Sequence, residues 1–208
     1  MDYRKFLRIL EGGQGITIFE PFPTRKIVTQ LIWRGGDELW STAKRRAETL
    51  IEFHRRIVSD VVPIEPCKDS GVFEAELPEG MKFVVISDDP EELESAARND
   101  KVCALATGGQ YVDTGKPLIY LSKERGIKTL DKRFAGVYQR EYSGGSDRVI
   151  LGGIGSEFIN CNPPMKIYDR IEALTKSGLR ALGTGGFGED IEYLGFISML
   201  GKYNKLIG

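Results

Sequence analysis

Two hydrophobic rhythms alternate along the chain. Runs of four to six apolar residues, strand-sized and uninterrupted, give way to stretches where apolar residues return every three or four positions, as on one face of a helix. Tyr3–Glu11 carries Phe6, Leu7, Ile9 and Leu10 at helical spacing and stops at Gly12-Gly13. Ile16–Phe19 reads as a short buried strand, ended by Glu20-Pro21-Phe22-Pro23. Thr24 is placed to cap a helix with Ile27, Val28, Leu31 and Ile32 on one face, closed by Gly35-Gly36. A longer helix opens at Ser41, with Ala43, Ala47, Leu50, Ile51, His54, Ile57 and Val58 on one stripe. Asp60–Ile64 and Lys82–Ile86 are the next strands, and Asp88-Asp89-Pro90 caps a helix running to about Arg98. Lys101–Ala106 and Pro117–Leu121 are further strands, whereas the polar, glycine-bearing stretch Ser122–Asp147 reads as loop with one helical piece. Arg148–Leu151 is a strand, Pro163-Pro164 introduces a helix through Lys176, Leu179–Leu182 is the last strand, and an amphipathic helix runs to Leu206.

Wholly apolar strands that alternate with one-faced helices define an α/β protein with a parallel sheet covered on both sides. About seven strands are readable, and no Ser/Pro-rich linker separates them, so residues 1–208 are expected to form one domain. A (β/α) TIM-type barrel needs roughly 200 residues at its lower limit, so a barrel here is lean, or incomplete relative to eight strands. An incomplete barrel leaves an unpaired strand edge that a second copy can cover, which predicts a homodimer.

Composition removes several classes. With 29 basic against 30 acidic residues, no positive excess is available for a phosphate backbone, so nucleic acid is not expected as a partner. The apolar runs fall far short of the roughly 20 residues that span a bilayer, and Met1–Lys5 leads into an amphipathic segment rather than a signal sequence. A cytoplasmic, membrane-free location is the expectation. The 3 cysteines are widely spaced and there is 1 histidine, so neither a disulfide framework nor a multi-His or C-x-x-C zinc site is expected. The expected partner is a small-molecule substrate, with no metal and no cofactor.

Gly183–Gly188 fits G-x-G-x-x-G between a strand and a helix, but too little chain follows to supply the strand and acidic ribose ligand of a dinucleotide fold. As the loop after the last strand of a barrel it pairs instead with Gly152–Gly155. Gly153, Gly155, Gly185 and Gly186 then become candidate anion-binding positions, because glycine lets backbone N–H groups point inward; tight turns alone would use the same residues. His54 lies on an apolar stripe, where packing is the simpler role. Acids stand directly after strands: Glu20 after the first, Glu65 and Asp69 after the second, with Cys67 between them. Residues just past strand ends face the mouth of a barrel, and a carboxylate among apolar walls can have its pKa raised or stay ionised beside a cationic nitrogen. Lys123 and Arg125, beyond the Pro117–Leu121 strand, can face the same mouth and bind carboxylates.

The order of segments resembles the uroporphyrinogen decarboxylase-like superfamily. The likeness lies in the helix Arg4–Gly12 leading to strand Ile16–Phe19, in the helix Glu48–Arg56 running into Ser59–Ile64, and in the ending. That ending is the strand and Gly-Gly-Ile turn Val149–Ile154, a Pro-led helix, a strand into Gly183-Thr184-Gly185 and a closing helix. The resemblance spans roughly residues 1–70 and 147–208. It implies a TIM-type barrel and cofactor-free decarboxylation of a tetrapyrrole or related acidic substrate. Asp69 or Glu65 would stabilise the protonated pyrrole, and Glu20, Arg25, Lys123, Arg125 and the glycine loops would line the substrate. The family's arginine-rich N-terminal loop is reduced here to Arg25, Lys26 and Arg34, and the His-x-Cys zinc pair of the related methyltransferases is missing. Two other functions stay open: a non-catalytic ligand-binding or partner module related to the corrinoid methyltransferases, and a phosphate-ligand-binding α/β enzyme.

Overall fold

A computed structural model describes residues 1–66, 70–122, 131–139, 149–184 and 190–207. Helix α1 (Tyr3–Leu10) starts at Asp2, whose carboxylate accepts from Arg4 N. After β1 (Thr17–Ile18), α2 (Arg25–Ile32) begins where Thr24 Oγ1 accepts from Ile27 N at 3.3 Å. The long helix α3 (Ala43–Arg56) is capped by Thr42 rather than Ser41, with Thr42 Oγ1 accepting from Arg45 N. Its apolar stripe ends at Ile57. Val58 leaves it, exposed and left-handed at φ 58°, as the chain turns toward the sheet.

Strands β2 (Val61–Ile64) and β3 (Lys82–Ile86) follow, then α4 (Pro90–Ala97), whose Asp89 cap and first-position Pro90 are those expected. Next come β4 (Val102–Thr107), β5 (Leu118–Ser122), β6 (Gly136–Gln139) and β7 (Val149–Gly153). A short helix, α5 (Ser156–Cys161), and a longer one, α6 (Pro164–Lys176), lead to β8 (Leu179–Gly183), and α7 (Tyr193–Ile207) closes the described chain. No helix among the described residues is long and apolar enough to cross a membrane.

The strands form one eight-stranded, all-parallel sheet in the order β1-β8-β7-β6-β5-β4-β3-β2. That is one strand more than the hydrophobic pattern shows. The addition, β6, lies in the stretch read as loop and is held between β5 and β7, with Val137 opposite both Tyr120 and Ile150. The sheet curls, so its two faces bury separate cores. Between sheet and helices lie Ile27, Val28, Leu50, Phe53, Val85, Ile167 and Phe196. On the inner face, Val61, Val84, Ala104, Ile119, Tyr138, Leu151 and Ala181 meet in one cluster, joined by Phe19 just after β1. Helix α1 adds Phe6 and Leu10 to this inner core, and Phe6 stacks on Phe19 with ring centroids 5.5 Å apart.

Backbone pairing stops between β1 and β2, the two ends of the ladder, yet side chains bridge them. Ser59 Oγ donates to Ile18 O at 2.9 Å, and Thr17 Oγ1 donates to Asp60 Oδ2 at 2.9 Å. Asp60 Oδ1 also accepts the Asp2 N–H at 2.8 Å, tying the start of α1 to the same seam. These bonds tie the two end strands of the sheet to each other within the chain.

Candidate functional site

All parallel strands deliver their carboxyl ends to one rim, and loops leaving that rim carry the polar side chains. Phe22 follows β1, Glu65 and Pro66 follow β2, Ser87 and Asp88 follow β3, Gly108 follows β4, and Leu121 stands near the end of β5. Together with Ile86 and Glu92 they line a cavity of about 450 Å³. Its polar groups are positioned by neighbours. Asp88 Oδ1 accepts from Gly108 N at 2.7 Å and from Thr107 Oγ1 at 3.1 Å, which fastens the β3 exit to the β4 exit. Ser87 Oγ donates to Glu92 Oε2 at 2.7 Å while accepting from Asp89 N, so the first turn of α4 fixes the Glu92 carboxylate. Glu65 is exposed, with its carbonyl accepting from Arg46 Nη2 at 2.9 Å.

Among the described residues, this lining holds three carboxylates and no lysine or arginine. This described lining offers carboxylate acceptors to cations or N–H donors. A second cavity of about 350 Å³ lies on the other side of Phe22 and Glu65, bounded by Pro23, Arg25, Trp40, Arg46 and Leu50 among others. The Arg25 guanidinium there sits over the Trp40 ring, 5.1 Å from its centroid. Glu65 therefore stands where an acidic compartment meets one that carries arginines.

Glu20 occupies a different position. It is only 2% exposed, and its two carboxylate oxygens accept from Thr184 N at 2.7 Å and Thr184 Oγ1 at 2.8 Å. It joins the exits of β1 and β8. Burial pushes its pKa up from 4.5 to about 7, against the lowering effect of the Thr184 and Phe22 hydrogen bonds. The buried Tyr203 hydroxyl, with no hydrogen-bond partner among the described residues, is raised as well, by desolvation first and then by Glu20 and Tyr138.

Of the residues singled out from sequence, Glu65 and Arg25 line the paired cavities, and Glu20 is buried beside the rim. Gly153 ends β7 opposite Gly183, and Gly155 precedes α5. The intervening Ile154 N–H is spent on Gly183 O, so that amide is not turned toward an anion. Asp69, Lys123, Arg125, Gly185 and Gly186, with Cys67, lie outside the described residues. His54 is wholly buried on α3, its pKa lowered by desolvation to about 3, edge-on to Phe53. The residues that sequence reasoning passed over are Ser87, Asp88, Glu92 and Arg46. A signal existed for the first two, since they directly follow the apolar run Phe83–Ile86. Among the described residues, no three histidine, cysteine or acidic side chains converge as a metal-binding group.

Fold and site together define a parallel α/β protein with a cavity at the carboxyl ends of its strands. No protein-family model, no curated protein and no solved structure matches the chain.

Proposed function

We propose that the protein is a lean TIM-type barrel of the uroporphyrinogen decarboxylase-like kind, which takes a pyrrole-bearing acidic molecule at its mouth and decarboxylates it without a cofactor. The observation that carries this reading is Glu65, at the wall between an acidic cavity and one bearing Arg25 and Arg46. Pyrrole N–H groups find acceptors in Glu65, Asp88 and Glu92, while carboxylate side chains find guanidinium donors across the wall. Cavities of about 450 and 350 Å³ are each in the range used for small-molecule ligands. Eight parallel strands, an inner apolar core and a cavity at the strand exits are the arrangement in which such barrels place their chemistry.

The reaction then runs through the pyrrole itself. A proton adds to a ring carbon and makes the ring cationic, beside the carboxylates of the first cavity. The C–C bond to the acetate carboxyl breaks, carbon dioxide leaves, and the electron pair returns to the ring. A proton from solvent then completes the new methyl group, and the proton first added to the ring carbon is released as the aromatic pyrrole is restored. The protein supplies position and negative charge where the cation develops.

A second reading draws on the same lining. Three carboxylates and no described cation in the larger cavity suit a ligand of N–H or cationic character better than a polycarboxylate, which favours a non-catalytic binding module. Titration with uroporphyrin, followed by its visible band, together with carbon dioxide release from anaerobically reduced pigment, separates the two. The decarboxylase reading expects both a band shift and release, with Glu65→Gln weakening binding about tenfold, the cost of one charge-assisted hydrogen bond. A shift without release supports the binding module, and no shift at saturating pigment ends the tetrapyrrole reading.

A further inference from the structure

Trp33 follows α2 in a left-handed conformation, φ 57°, with 83% of its surface exposed. That backbone region is unfavourable for a residue with a bulky side chain, and the described residues leave most of the indole uncovered. Leu194, at the start of α7, is 80% exposed, and Ile197 follows three residues later on the same helix face. A groove of about 420 Å³ joins the two helices here, lined by Thr29, Gln30, Trp33, Arg34, Gly35 and Tyr193.

We propose that this face is a docking surface for a second copy of the same chain, related by a two-fold axis that lays α2 of each protomer against α7 of its partner. A two-fold interface pairs a surface with itself, so the surface must carry both halves of every match. This one does. It has a groove beside Trp33 and an exposed apolar ridge at Leu194 and Ile197. Its charge is divided in the same way. The α2 side bears Lys26 and Arg34 and no acid between Arg25 and Arg34, whereas Asp190 and Glu192 stand at the start of α7. None of these four charged side chains makes an ion pair or side-chain hydrogen bond among the described residues. Across a two-fold axis the bases of one protomer meet the acids of the other, and the Trp33 indole takes the buried, central place in which tryptophan dominates binding energy.

Sedimentation velocity of the full chain from 1 to 200 µM is the test, the variants being checked for an unchanged far-ultraviolet spectrum and melting temperature. The expected result is a shift from 23.2 kDa toward twice that mass, with a dissociation constant in the micromolar range of small interfaces. Leu194→Asp and, separately, Trp33→Ala should each weaken association at least tenfold. Arg34→Glu should do the same, and adding Glu192→Arg should restore it. A monomer at 200 µM overturns the proposal, as does a dimer that persists in both apolar variants. Failure of the double charge variant to recover overturns the two-fold pairing of α2 with α7. Binding of a monomeric chain to neutral lipid vesicles through Trp33 would assign the face to a membrane surface and sink the proposal equally.

Discussion

Glu20 and His54 are buried titratable groups whose effects on stability oppose each other across an overlapping range of pH. Glu20 has its folded pKa raised from 4.5 to about 7, so between those values the folded state holds a proton that the unfolded state has lost. Stability from this group falls as pH rises through that window, by about 3 kcal/mol in total at 1.36 kcal/mol per pKa unit. His54 is lowered from 6.5 to about 3, so between those values the unfolded state holds the extra proton. Stability from this group rises with pH, by about 5 kcal/mol over its window. Where the windows overlap, from about pH 4.5 to 6.5, the slopes cancel and the wild-type stability should be nearly flat. Glu20→Gln removes one side of the balance. The amide keeps the shape and both contacts, its oxygen accepting from Thr184 N and its nitrogen donating to Thr184 Oγ1. Urea unfolding between pH 4.5 and 6.5 should then show stability increasing by about 3 kcal/mol in the variant and hardly at all in the wild type. If the two proteins trace parallel curves, the Glu20 carboxyl does not titrate with the raised pKa, and the reasoning from its burial fails.

Two further perturbations test how the sheet closes. Asp60→Ala leaves the buried Thr17 hydroxyl and the Asp2 N–H without their acceptor, at a cost of about 2–4 kcal/mol. For a chain of this size that is a fall in melting temperature of about 5–15 °C, and a change under 2 °C by circular dichroism would show that the seam is not held by these bonds. Gly183→Ala places a Cβ against Phe19 O and 2.8 Å from the Tyr138 hydroxyl, where backbone on one side cannot yield. It should destabilise by about 1–3 kcal/mol, whereas Gly35→Ala, with nothing within 4 Å and an ordinary φ, should be neutral or slightly stabilising in the same melts.

The layered α/β plan was legible because long helices and buried strands carry different periods, and those periods are local. What escaped was structure held by its neighbours. β6 is four residues, Gly-Val-Tyr-Gln, with no apolar run of its own. Its glycine looks like a loop signal but serves close packing, since a Cβ at Gly136 would stand 3.1 Å from Val149 O and 3.3 Å from Leu10 Cδ2. Helix α5 has six residues, too few to display a helical period. Val58 fits the α3 stripe by count, yet the chain has already turned away, with Val58 N bonding Arg55 O and Ser59 N bonding His54 O.

The site divides along the same line between local and distant information. Glu65 was visible because an acid directly after an apolar strand must stand near that strand's exit. Asp88 was absorbed into a capping signal, Asp88-Asp89-Pro90, of which only Asp89 caps α4; Asp88 instead reaches across to the β4 exit. Glu20 was visible as an acid after a strand, but its partner is 164 residues away, and that pairing decides what the carboxylate does. An acid whose two oxygens are already satisfied by Thr184 holds β1 against β8, whereas Glu65, exposed and with no side-chain partner among the described residues, presents its oxygens to whatever enters the cavity. Acids at the same rim thus serve different ends, and the difference lies in which strands become neighbours when the sheet curls.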